Sequence, residues 1–303
     1  MNSLSKNAFD KAAQFIASSA RPLEQAQFEL HFGSGSVEGV LTELARFQND
    51  DGGFGHGVEP DVRMPHSSPF VTSVAFQIMS ELDVPTEYPM VRSGIDYFEQ
   101  SYDESIGGWD PTGPRVDEYP RAPWWNYSVV DGRLDPIKRS NPGVEITGYL
   151  NRYKDVSSES FVAAVTLEAL RTFEELPDDM EVHSMMCFMR MAEFGPSSVI
   201  EQLLPKLQRG AHLVIGTSAV DWVKYGGRPL WLSGSPDSLL ASELKDLIPV
   251  QLDYEIESQT EDGSWMPNWA WGQYEADLER AKLEWAGYLT LRNLLAFKAW
   301  GRL

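Results

Sequence analysis

Only one of the 303 residues, Cys187, is a cysteine. No intrachain disulfide can form, which suits a reducing compartment. Positive charge is also scarce: 25 Lys and Arg stand against 45 Asp and Glu, for a net charge of −20. A field of that sign repels phosphate backbones and anionic headgroups, so nucleic acid and bilayer surfaces are poor candidate partners. A free diphosphate would need a metal ion or local Arg and Lys to offset the field. No run approaches the length of a membrane span. The opening residues carry Asp10 and Lys11 inside an amphipathic pattern, which reads as a first helix rather than a signal peptide. The expectation is a soluble, cytoplasmic protein. Nucleophile elbows of the G-x-S-x-G type, P-loops and dinucleotide fingerprints are missing, and strand-like alternation is rare. No linker rich in Ser, Gly or charge divides the chain, so a single domain over 1–303 is expected, with 42% hydrophobic residues to fill its core.

What is there is organised around Gln48–Arg63, Q-N-D-D-G-G-F-G-H-G-V-E-P-D-V-R. Glycines at 52, 53, 55 and 57 cannot belong to a packed helix interior. Upstream, Val37, Val40, Leu41, Leu44 and Phe47 recur at helical steps. Downstream, Ser68 is placed as an N-cap, Pro69 sits at the first helical position, and Val71, Val74, Ala75, Ile78 and Leu82 line a second helix. The unit is helix, glycine-rich aromatic turn, helix. It returns at Gln259–Trp265, where Gln48 matches Gln259, Asp51 matches Asp262, Gly52 matches Gly263 and Phe54 matches Trp265. A shorter echo, S-I-G-G-W-D-P, runs from Ser105 to Pro111.

Helices are also predicted from Pro22, over Pro89–Gln100, and near Glu145–Tyr153, Glu159–Glu175, Met180–Phe194 and Ser197–His212, the last with Pro205 as a kink or restart. A further one carries Leu244, Leu247, Leu252 and Ile256, and another runs over Glu275–Trp300. Asp178 and Asp179 read as capping residues. A recurring hairpin that cannot bury its apolar face alone stacks against neighbours, and ten to twelve helices suit a ring of hairpins. Two stretches resist a helical reading, the proline-rich Asp110–Pro142 and the aromatic Gly216–Pro236. Both are expected to cover one end of the ring.

The Gln-x-x-Asp-Gly-x-aromatic spacing at both sites resembles the repeat signature of the squalene and oxidosqualene cyclases. The longer run D-G-G-F-G-H-G-V-E-P-D, followed by S-S-P-F-V-T-S-V-A-F, resembles the glycine-rich turn and inner helix of protein prenyltransferase beta subunits. The resemblance, over about positions 36–83 and 244–300, implies the terpenoid cyclase and protein prenyltransferase superfamily. Its fold is an all-α α/α toroid, an inner ring of helices inside an outer one, with a ligand cavity at the centre. The acidic Asp-x-Asp-Asp run of triterpene cyclases is absent, and Glu59-Pro60-Asp61 is the nearest substitute. The Asp, Cys and His zinc ligands of prenyltransferases have no counterpart, since Cys187 lies in the apolar S-M-M-C-F-M-R-M and reads as a core residue.

The candidate catalytic residues are Asp61, Glu59 and His56, with Arg63 beside them. A carboxylate beside an arginine near an apolar cavity could serve as a general acid, and His56 with Glu59 or Asp61 could hold a divalent metal. Asp61 and Arg63 could equally pair with each other or cap the next helix. No cofactor is required by the sequence. For Gln48, Asp51, Phe54 and their counterparts, bonding to helix ends and stacking between hairpins outweighs a ligand role. Trp124, Trp125, Trp269 and Trp271 are read as lining a cavity mouth, with Asn126 and Glu145 as polar contacts. Trp222, Trp285 and Trp300 fill the core. Three functions compete: acid-initiated transformation of an apolar isoprenoid; carbohydrate chemistry with paired carboxylates such as Glu59 or Asp61 with Asp110 or Glu145; and a non-catalytic binding toroid. The first is preferred, with an apolar small molecule as partner.

Overall fold

The computed structural model describes residues 2–128 and 132–303, and among them the regular elements are all helices, with strand-like pairing confined to isolated bridges. In chain order they are α1 (Lys6–Ser19), α2 (Pro22–Phe32), α3 (Val37–Leu44), α4 (Pro69–Glu81), α5 (Pro89–Gln100), α6 (Pro136–Ser140) and α7 (Gly143–Arg152). Then come α8 (Glu159–Glu175), α9 (Val182–Phe194), α10 (Ser197–Gly210), α11 (Ala219–Trp222), α12 (Pro229–Leu232), α13 (Ile248–Glu257) and α14 (Glu275–Ala299). The all-α class expected from the sequence is the class observed. Proline opens α2, α4, α5, α6 and α12, where its missing N–H is one of the donors a helix start leaves unpaired anyway. Ser68 caps α4 by accepting from the Val71 N–H at 3.3 Å.

Some local readings shift. The α9 start is capped by Glu181, which accepts from the N–H groups of His183 and Ser184. Asp178 instead pairs with Arg209 at 2.8 Å, because a carboxylate further upstream cannot reach the first helical turn. α10 runs through Pro205 without ending. Leu244 and Leu247 lie in a series of turns, and regular helix begins only at Ile248, with Pro249 in its first turn. The stretch Asp110–Pro142 holds two 3-10 turns, Pro114–Glu118 and Pro123–Trp125, and α6; its residues 129–131 lie outside the described residues. The stretch Gly216–Pro236 contains α11 and α12.

The helices sort into two compact units, Met1–Leu44 with Val214–Leu303, and Ala45–Leu213. In the first, α14 packs on α1 and α2. Gly287 permits that approach, since a Cβ there would lie 2.8 Å from the Ala20 Cβ. Glu24 and Glu284, both buried, are held by Arg21 and Arg280. The two stretches of this unit are knitted by the Leu4 N–H to Arg302 carbonyl bond of 2.7 Å. In the second unit α7 lies along α9, where Gly148 lets the Met191 backbone come close. Phe76 of α4 meets Phe98, Tyr149 and Tyr153 at centroid distances of 4.9, 5.4 and 5.9 Å. Removing a ring so enclosed costs about 3–5 kcal/mol.

The two glycine turns, one in each unit, share a set of matching bonds. In the first, Gln48 Nε2 donates to the Gly52 carbonyl at 2.9 Å, and Asp51 Oδ1 accepts from the Gly53 N–H at 3.0 Å. In the second, Gln259 Nε2 donates to the Gly263 carbonyl at 2.9 Å, and Asp262 Oδ1 accepts from the Ser264 N–H at 3.1 Å. Each glutamine also reaches a neighbouring helix, Gln48 the Met90 carbonyl of α5 and Gln259 the Ala8 carbonyl of α1. Gly52 and Gly263 have φ of 85° and 94°, and a Cβ on either would strike that same neighbour, Ser93 of α5 or Lys11 of α1. Only glycine meets both demands, a left-handed φ and backbone contact on the Cβ side. Each turn is therefore clamped to one further helix of its own unit.

Candidate functional site

The loop after the first turn folds back on itself. The His56 N–H donates to the Met64 carbonyl at 3.0 Å, and the Val62 N–H to the Glu59 carbonyl at 3.1 Å. The returning strand of this loop pairs with the proline-rich stretch: Val62 bridges Arg121, the Arg63 N–H donates to the Pro120 carbonyl at 3.0 Å, and the Ala122 N–H to the Asp61 carbonyl at 2.9 Å. These bonds hold Glu59 and Asp61, 8% and 4% exposed, in a fixed backbone frame. Arg121, itself buried, pairs with Asp117 and donates to the Tyr119 carbonyl. Beside the frame, Trp125 stacks on Phe70 of α4 with centroids 3.8 Å apart, and His66 Nε2 meets the Tyr119 hydroxyl at 3.0 Å.

Tertiary structure thus brings together the two regions that the sequence singled out separately, the Glu59–Arg63 cluster and the segment around Trp124 and Trp125. It arranges their members unequally. His56 is exposed, has a left-handed φ of 56°, and its Nε2 lies 2.9 Å from Asn49 Oδ1. Arg63 is half-buried, its guanidinium lies against Gly57, and it donates to the Pro60 carbonyl at 3.3 Å. Trp124 and Asn126 are exposed. Among the described residues no three His, Cys, Asp or Glu side chains are grouped to hold a metal ion.

Glu145 occupies a separate setting on α7. It is 2% exposed, accepts from the Tyr149 hydroxyl and from Arg190 at 3.1 Å, and lies 3.5 Å from the Cys187 thiol. Burial, then the neighbouring Glu145 charge, pushes both the Cys187 thiol and the Tyr149 phenol well above their ordinary values. The thiol lies enclosed in the core, where its apolar sequence context put it. Trp269 and Trp271 belong to the other unit. Trp271 is buried, and Trp269 packs edge-on to Tyr225 and Trp285 at 5.5 and 5.1 Å. Of the tryptophans assigned to the core, Trp222 is fully enclosed while Trp285 and Trp300 are half-buried.

Two residues escaped the sequence reading. The Thr72 hydroxyl of α4 accepts from the Phe54 N–H at 2.9 Å, and the Thr290 hydroxyl of α14 accepts from the Trp265 N–H at 3.1 Å. Both threonines are buried, so each satisfies a turn donor that water does not reach. The spacing from aromatic to threonine differs between the copies, which removes the periodic signal that would have revealed them. No match to this chain was found among protein-family models, curated proteins or solved structures.

Proposed function

We propose that this protein is an α/α toroid of terpenoid cyclase type that takes an apolar isoprenoid and starts its rearrangement with a proton from Asp61 or Glu59. One observation carries the reading: two carboxyl groups, two residues apart, are more than nine-tenths buried in a frame of backbone bonds next to the Phe70–Trp125 stack. A carboxylic acid held in a rigid frame can hand its proton to an alkene, which is the first step that acid-initiated cyclisation needs. An aromatic face nearby suits the cationic centre that protonation of an alkene creates. The matching bonds of the two glycine turns support the repeat on which the toroid reading rests.

A second reading, a toroid that binds its ligand without transforming it, is favoured by the bonds of His56 to Asn49 and of Arg63 to Pro60, which tie both side chains to their own loop. Incubation with a linear C30 polyene, followed by mass spectrometry of the extract, separates the two. The catalytic reading expects a cyclised or isomerised product whose formation falls at least about a hundredfold in Asp61→Asn or Glu59→Gln. Retention of unchanged polyene by the folded protein supports the binding reading. Neither conversion nor retention, or conversion undiminished in both variants, overturns the isoprenoid assignment.

A further inference from the structure

A hollow in the Ala45–Leu213 unit shares no residue with the Glu59 and Asp61 frame. It is an open recess of about 430 Å³ between the Asp103–Gly108 turn and the start of α8, bordered by Tyr102, Phe161, Val165 and Arg133. That volume suits a molecule of one ring with a substituent. Tyr102 and Phe161 meet edge to face at 5.3 Å, and Trp109 backs both rings at 5.0 and 6.4 Å. Across from them, the Arg133 chain crosses Gly107, where a Cβ would come within 3.1 Å of its Nε.

The charge pattern here departs from that of the chain as a whole. Arg133, Arg139 and Arg171 all turn toward the single carboxylate of Glu168, Arg139 at 2.5 Å and Arg171 at 3.7 Å. Arg139 is buried, also pairs with Glu175, and keeps its Nε without a hydrogen-bond partner. It lines, with Glu168, Tyr102 and Gly107, a smaller void that extends the recess inward. Arg133 is the one of the three that borders the recess, its side chain 57% exposed; Arg139 is buried, and Arg171, though exposed, is not part of the lining. If Arg133 turns to an incoming anion, Glu168 keeps Arg139 and Arg171, so the exchange strands no buried charge.

We propose that this recess binds a small monocarboxylic acid with a flat ring, the ring against Tyr102 and Phe161 and the carboxylate on the Arg133 guanidinium. A planar guanidinium takes a carboxylate through two parallel N–H bonds, and the two rings offer an edge and a face to a third. Glu104, exposed on the border of the recess, selects against a second negative charge.

Calorimetric titration of the full chain at low ionic strength with benzoate, benzamide and benzylamine tests this. Benzoate is expected to bind saturably, with benzamide weaker by about tenfold or more. Arg133→Ala, at a side chain more than half exposed, should weaken benzoate by a similar factor, and Phe161→Ala should weaken both ring compounds. Glu104→Gln should tighten benzoate by about twofold to fivefold. Equal binding of benzoate and benzamide, preference for benzylamine, no saturation by any of the three, or benzoate affinity unchanged in a folded Arg133→Ala protein overturns the proposal. None of these results depends on whether Asp61 and Glu59 transform an isoprenoid.

Discussion

Replacing Gly52 by alanine tests whether the first turn is pressed against α5, as its geometry requires. Two effects add at this position. The φ of 85° strains any residue with a Cβ, at about 1–2 kcal/mol. The new Cβ would also fall 2.2 Å from the Ser93 carbonyl oxygen, backbone that cannot rotate away. Separating turn and helix by about an ångström costs a further 1–3 kcal/mol, as overpacking does. Gly113 in the same unit supplies the control: its φ is 69°, and a Cβ would meet nothing within 4 Å. Gly113→Ala should therefore cost only the strain, about 1–2 kcal/mol, and Gly52→Ala about 2–5 kcal/mol. The other unit repeats the design, with Gly263→Ala, whose Cβ would lie 2.5 Å from Lys11 C, against Gly272→Ala, whose Cβ is unobstructed. Urea unfolding followed by circular dichroism reads the difference as a midpoint lower by about 1 M in the clamped member of each pair, for slopes of about 1–3 kcal/mol per molar. Equal midpoints for Gly52→Ala and Gly113→Ala would mean that the turn does not rest on α5, and the clamp would have to be given up.

Thr72→Val and Thr290→Val each keep side-chain volume but leave a buried N–H, of Phe54 or Trp265, without its acceptor. Each should lose about 1–3 kcal/mol in the same assay while Thr→Ser loses less, and a neutral Thr→Val would show that these hydroxyls do not anchor the turns. Stability should also depend on alkaline pH through Cys187 and Tyr149. Their folded values are raised, so their contribution is complete below the ordinary thiol and phenol values of about 8.5 and 10 and is lost as pH rises beyond them. The urea midpoint should fall from about pH 9 upward, less steeply in Tyr149→Phe, and a flat profile to about pH 10.5 counts against the buried cluster. Iodoacetamide should modify Cys187 only in denaturant; rapid labelling of the native protein would contradict its enclosure beside Glu145.

Much of the helical framework was legible in the sequence, because its signals are local. Proline at a first helical position, Ser68 before Pro69, and glycines where φ turns positive act within a few residues of where they stand. The matched turns were visible for the same reason, since Gln48 and Asp51, like Gln259 and Asp262, bond inside their own loop. The cap of α9 was misplaced by a few residues because three acidic residues precede that helix and only geometry selects Glu181. The candidate site was legible in part. Glu59 and Asp61 stood out as charges among glycines, but the pairing of Asp61–Arg63 with Pro120–Ala122 joins segments about sixty residues apart through backbone bonds that leave no compositional mark.

Sequence alone therefore determined where proline and Ser68 open helices, where the chain must turn, and which two turns are copies, all of which follow from backbone sterics and hydrogen bonding over short spans. Tertiary structure alone decided which helix each turn clasps, that Glu145 faces Tyr149, Cys187 and Arg190, and that three arginines share Glu168. Such pairings are set by how helices pack, and packing is fixed by shape complementarity between faces that no single segment encodes.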